Sequence, residues 1–156
     1  MKAKVQWIDN VSFMAISGSG HAVVVDGPPD HGGRNLGPRP MEMLLMGVGS
    51  CSSFDVVSIL KKSRQQVVDC HVELTAERAD AVPAVFTAIH MRFTVRGYQL
   101  RLHTVERAVT LSVEKYCSAA VMLRTAGVVI THETVVETPE FPASCDCVSP
   151  QDGQGS

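Results

Sequence analysis

Residues 38–60 read PRPMEMLLMGVGSCSSFDVVSIL, and the way this stretch packs decides the fold. Pro40 suits the first turn of a helix, where a missing N–H costs nothing. From Met41 to about Lys62 the pattern is helical and apolar nearly all round, ending at Lys61-Lys62. One small domain can hardly cover such a helix alone, so a second subunit is the natural cover. Glu42, Gly47, Ser50, Ser52, Ser53 and Asp55 interrupt the run and argue against a membrane span. Cys51 stands near its middle.

On the N-terminal side, Lys2 to Ile8 alternates, with Ala3, Val5 and Trp7 on one face, the pattern of a half-buried strand. Two further strands over 12–17 and 21–26, joined at Gly18-Ser19-Gly20, complete a meander. Residues 27–40, GPPDHGGRNLGPRP, are rich in Gly and Pro and form a loop. On the C-terminal side, Val68, Cys70, Val72, Leu74 and Ala76 make the inward face of a strand. Val85, Ile89, Met91, Phe93 and Val95 make that of the next, with 79–83 between them. Leu102, Val105, Val109, Val113 and Tyr116 give a helical stripe, and a shorter helix over 117–126 stops at Gly127. Residues 128–137 are the last strand. The order βββ-α-ββ-α-α-β is an α+β arrangement in one domain, 1–137. Residues 138–156 have the composition of a disordered tail.

A length of 156 residues suits one domain with a real core. A net charge of -2 without a basic cluster speaks against nucleic acid or an anionic membrane as partner. The N-terminus lacks a signal-peptide apolar region, and five cysteines is an odd count without the spacing of a secreted framework. The expectation is a cytoplasmic protein with reduced thiols.

Two cysteines carry the functional question. Cys51 lies in the apolar helix, and Cys117 lies in a second motif, EKYCSAAVML (114–123). A thiol in an apolar helix is commonly inert packing, whereas two thiols brought together by the fold can do two-electron redox work. Cys70 reads as core packing. Cys145-Asp146-Cys147 offers two cysteine ligands in a tail, short of a closed zinc site. The six histidines (21, 31, 71, 90, 103, 132) show no ligand spacing, and His71, His90 and His132 default to strand surfaces.

On PMEMLLMGVGSC (40–51), EKYCSAAVML and the element order, the chain resembles the OsmC/Ohr family over roughly residues 1–137. The continuation SCSSFDVVSIL is similar to its small OsmC-like branch. The resemblance implies an intertwined homodimer, with long helices central, sheets wrapped around them and active sites at the interface. It also implies thiol-dependent reduction of organic hydroperoxides, with Cys51 peroxidatic and Cys117 resolving. A dithiol, such as a lipoylated protein, would be the reductant, and no metal or organic cofactor is implied.

That chemistry needs a thiolate at Cys51 and approach of Cys117 to form a disulfide. Relatives use a Glu at the opening of the cysteine helix and an N-terminal Arg. Here Met41 replaces the expected Glu, and Glu42 follows one place later. Nine helical residues turn about 900°, which puts Glu42 on the face opposite Cys51. It is a candidate catalytic residue if the helix opening is irregular or if it serves a partner's site, and otherwise a helix N-terminal carboxylate. The family arginine has no direct counterpart; Arg34, Arg39 and His21 are substitutes by type. Asp55, one turn after Cys51, would oppose a thiolate there. Cys117 is better placed if it opens a helix, with Lys115 nearby. Met41 and Met46, with Met14, Met43 and Met122, suit an adaptable apolar substrate pocket or plain core. Two other functions stay open: a non-catalytic dimer that binds an apolar small molecule, and a thiol redox sensor.

Overall fold

The computed structural model describes residues 1–139. The tail beyond them, with Cys145 and Cys147, lies outside the described residues. The sequence 38–60 does form one long helix, α1 (Pro40–Lys62), with Pro40 at its first position. Glu42 closes the opening by accepting the Arg39 backbone N–H at 2.9 Å. Arg39 has no acceptor with which to return the bond.

α1 buries one stripe at four-residue spacing, Val48, Ser52, Val56 and Leu60, all at 0% exposure. That stripe lies on strand β4 (Gln66–Arg78) and on the helices α2 (Leu102–Leu111) and α3 (Ser118–Thr125). Close approach to β4 depends on Gly49. A Cβ there would come within 2.7 Å of Leu74 Cδ1 and 3.4 Å of Val72 Cγ1.

β4 pairs antiparallel with β5 (Phe86–Tyr98), which pairs parallel with β6 (Val129–Glu137). A parallel pair needs a crossover, and the segment carrying α2 and α3 supplies it. Ile89, Met91, Phe93 and Val95 of central strand β5 fill the core beneath the helices, as their alternation predicts. Val85 does not join them. It is exposed, and the strand starts one residue later with buried Phe86, where the β4 register shifts at Glu77/Arg78. A second shift between Val67 and Asp69 changes the phase of β4. Val67 therefore packs on the core and Val68 is exposed, although Cys70, Val72, Leu74 and Ala76 face inward as expected.

The N-terminal strands β1 (Ala3–Asp9), β2 (Ser12–Ser17) and β3 (Ala22–Val25) form a separate antiparallel sheet. The expected half-burial of β1 is absent within the chain: every residue is exposed, Trp7 to 64% and Val5 to 66%. Alternation marks a face that can be covered, but this sheet makes only sparse contacts with the rest of its own chain. On α1, Leu44, Met46 and Phe54 are exposed as well, Phe54 to 74%. Among the described residues α1 is the helix long and apolar enough to cross a membrane, although its other side is fully buried in protein.

Candidate active site

The expected second helix is interrupted before Cys117. α2 ends at Leu111, and residues Ser112–Tyr116 wind into a π-turn, closed by the Cys117 N–H on the Ser112 carbonyl at 2.8 Å. Of the predicted stripe, Val105, Val109 and Val113 are buried, whereas Leu102 and Tyr116 are exposed. Wider winding re-aims the chain at its exit, a device frequent at functional sites. Cys117 leaves this turn with extended backbone and becomes the N-cap of α3. Its sulfur accepts the Ala120 N–H at 3.4 Å.

The π-turn is pinned to α1 from both ends. Ser112 Oγ donates to the Ser52 carbonyl at 2.9 Å, and the Cys117 thiol faces the Val48 carbonyl at 3.8 Å. These ties bring Cys117 against the turn of α1 that carries Cys51. The sulfurs of Cys51 and Cys117 and a carboxylate oxygen of Asp55 all lie within 4.8 Å of one another. Cys51 and Asp55 share a face because they are four residues apart on a helix. Both thiols are free, Cys51 half-buried and Cys117 at 0% exposure.

Burial pushes the Cys117 thiol up from its ordinary range, and the adjoining Cys51 side chain adds to the rise through hydrogen bonding and charge. The Ser52 hydroxyl and the Ala120 N–H pull in the other direction. Ser52 Oγ is fully buried and makes no well-formed hydrogen bond among the described residues, yet it sits close enough to the sulfur to favour a thiolate. Cys117 thus holds its proton at rest, with two polar groups ready to support its thiolate. Nothing in the sequence motif singled out Ser52; its position, four residues after Val48 on the buried stripe, is the signal that was available.

The other predicted residues lie elsewhere. Glu42 caps α1 at an exposed position and is not among the groups gathered at the two sulfurs. Arg34 pairs with Asp9 at 3.6 Å, and the His21 ring contacts Ser19 Oγ at 3.1 Å. Arg39 borders a cavity of about 600 Å³ with Met41, Glu42, Leu45, Arg78 and Phe86. Met41 also lines an apolar cavity of about 420 Å³ with Leu44, Phe86 and Leu123, whereas Met46 is exposed. Lys115 lies over the Tyr116 ring, 5.5 Å from its centroid.

Asp26 was not anticipated. It is 1% exposed and accepts four hydrogen bonds, from Ser12 Oγ and the N–H groups of Gly27, Arg34 and Leu36. The Leu36 N–H and then the Ser12 hydroxyl contribute most to holding its carboxyl well below the usual range. The loop before α1 is therefore wound around one carboxylate. Cys70 is half-buried, and burial, followed by the charge of Asp69, pushes its thiol up to about 11. His132 corrects its surface expectation: it is half-buried, and burial lowers its pKa, because its face of β6 also carries partly buried Ile130 and Val136.

Residues 31–133 match the family model described as OsmC-like protein. The chain is 50% identical over 132 residues to protein YhfA of Escherichia coli K12, covering 85% of this chain and 95% of that one. A solved hypothetical protein from Aquifex aeolicus superposes with a TM-score of 0.77 at 29% identity, covering 89% of this chain and 97% of that one. An organic hydroperoxide resistance protein OsmC from Legionella pneumophila gives 0.66 at 12% identity, with 87% and 98% covered, a likeness of fold alone.

Proposed function

This chain belongs to the OsmC-like family, and on that premise we propose that it is a thiol-dependent peroxidase acting on organic hydroperoxides. The observation that carries the reading is the pairing of a half-buried Cys51 with a fully buried Cys117, their sulfurs within 4.8 Å. The accessible sulfur is the one a peroxide meets first. Cys51 thiolate attacks the distal peroxide oxygen, the O–O bond breaks, and the alkoxide leaves and takes up a proton as the alcohol. Cys51 is then a sulfenic acid. Cys117 thiolate attacks that sulfur, hydroxide leaves as water after protonation, and a disulfide stores the two electrons' worth of oxidation. An external dithiol, of the kind a lipoylated protein carries, restores both thiols.

In this reading the functional unit is a homodimer in a reducing, cytoplasmic setting. The bare outer side of α1, with Leu44 and Phe54, and the uncovered N-terminal sheet both favour a second copy. A partner would also give Glu42, Arg39 and the Met41 cavity a site to serve, because none of them meets the sulfurs of its own chain.

Stopped-flow mixing with an alkyl hydroperoxide or with hydrogen peroxide, for the wild type and Cys51→Ser, tests the proposal. Fast consumption of the alkyl hydroperoxide that vanishes in Cys51→Ser is expected. Absence of Cys51-dependent turnover with either oxidant would favour a second reading, an apolar-ligand binder built on the same fold. The apolar cavity at Met41, Leu44 and Leu123 supports that second reading, with ligand stabilisation surviving both Cys→Ser changes as its sign.

A further inference from the structure

We propose that the reduced protein binds one thiophilic divalent cation of the zinc class through Cys51, Cys117 and Asp55. The three ligand atoms converge within 4.8 Å from two separate segments, so the site is assembled by the fold and not by one stretch of chain. Tetrahedral zinc with bonds of about 2.3 Å to sulfur places two such ligands about 3.8 Å apart. Closure by about 1 Å converts the resting arrangement into that geometry, a movement within reach of side-chain rotation.

Two independent features point to a cation. The Asp55 carboxylate is half-buried and has neither an ion pair nor a hydrogen bond among the described residues. Among the described residues no Lys, Arg or His pairs with Asp55 to offset the negative charge that would accumulate if both thiols ionised beside it. A metal does so directly, because a coordinated thiol is deprotonated outright. The second feature is Ser52 Oγ, fully buried, without a well-formed hydrogen bond among the described residues, and carried by the residue next to Cys51 on the α1 turn that faces Cys117. Three protein ligands leave the fourth position of zinc to water, and the free hydroxyl of Ser52 is a ready partner for that water.

The ligand set of two thiolates and one carboxylate selects zinc or its cobalt analogue over magnesium and calcium, which require oxygen ligands. Cation binding and disulfide formation use the same two sulfurs and exclude one another. The metal site itself requires no peroxidase activity.

The test uses the full chain, reduced with a phosphine under nitrogen, titrated with cobalt(II) chloride and then with zinc chloride. We expect one cobalt per chain, with a near-ultraviolet thiolate-to-cobalt band bleached by one equivalent of zinc. The band should be absent in Cys51→Ser and in Cys117→Ser, and kept in Cys145→Ser/Cys147→Ser, which removes the tail thiols. Asp55→Ala should weaken cobalt binding at least tenfold. Zinc should also protect the half-buried Cys51 of the wild-type chain from iodoacetamide in peptide maps, leaving Cys70 labelling unchanged; this arm needs no folded variant. No band, a band that survives loss of Cys51 or Cys117, a band lost with the tail pair, or an unprotected Cys51 would overturn the site. Unchanged affinity in Asp55→Ala would overturn its three-ligand composition.

Discussion

Replacing Ser52 with Ala separates stability from function at the two-thiol centre, and the two effects have opposite signs. The hydroxyl is at 0% exposure and makes no well-formed hydrogen bond, so the fold carries its desolvation penalty of about 1–3 kcal/mol. Deleting it leaves only a small void on the α1 stripe, and the net expectation is a gain of about 1 kcal/mol. For a chain of this size that raises the melting temperature by about 2–4 °C. The same hydroxyl favours the Cys117 thiolate, and a hydrogen bond to an ionised group contributes about 1.5–3 kcal/mol. Each 1.4 kcal/mol corresponds to a factor of ten, so attack of Cys117 on the Cys51 sulfenic acid should slow by roughly tenfold. Calorimetry reads the first effect. Dimedone trapping of the sulfenic acid, after one equivalent of cumene hydroperoxide, reads the second: the variant should accumulate far more adduct than wild type. A variant that melts lower and closes its disulfide at the wild-type rate would refute the reasoning, because Ser52 would then be an ordinary satisfied core residue.

Three further outcomes are expected elsewhere in the chain. Asp26→Asn should lower the urea midpoint at pH 7, since Asn cannot replace a carboxylate accepting four hydrogen bonds. A depressed folded-state pKa gives stability that is complete above the ordinary value of 3.8, declines as pH falls below it and is lost below the folded value, so the two midpoints should converge in strong acid. Cys70, raised from 9.0 to about 11, should alkylate roughly a hundredfold more slowly at pH 8 than an unshifted thiol, as mass spectrometry of time points would show. Phe54→Glu, on the exposed side of α1, should turn the proposed homodimer into a monomer in sedimentation; a wild type that sediments as a monomer, or a variant that stays dimeric, would contradict an interface on that side.

Periodicity carried most of the architecture. The alternation at Ile89, Met91, Phe93 and Val95 and the apolar run of α1 are direct consequences of side-chain geometry, and both appear where expected. What escaped is what depends on phase and on distant partners. The register shift at Val67/Asp69 sends Val68 outward, and no residue type in VVDC announces it. The π-turn at Ser112–Tyr116 is hidden because Val113 continues the helical stripe of Val105 and Val109. Asp26 counted only as the last residue of the strand expected over 21–26, because three of its four donors are backbone N–H groups, two of them eight and ten residues away. Cys51 and Cys117 stood out in the sequence, whereas the Ser52 hydroxyl beside them became visible only once the π-turn had placed Cys117. The alternation of β1 predicted a half-buried strand, and within this chain every residue of it is exposed, because alternation reports a two-faced strand and not what packs on either face.

The central claim is that Cys51 and Cys117 act as one redox pair, and peptide mapping after oxidation tests it most directly. Reduced protein is treated with one equivalent of cumene hydroperoxide per chain, quenched with an alkylating agent and digested without reduction. The account predicts a single dominant cross-linked peptide joining Cys51 to Cys117, absent in Cys51→Ser, with Cys70 recovered alkylated or free. Recovery of both Cys51 and Cys117 as unoxidised thiols, with the oxidation found at Cys145 and Cys147, would contradict it.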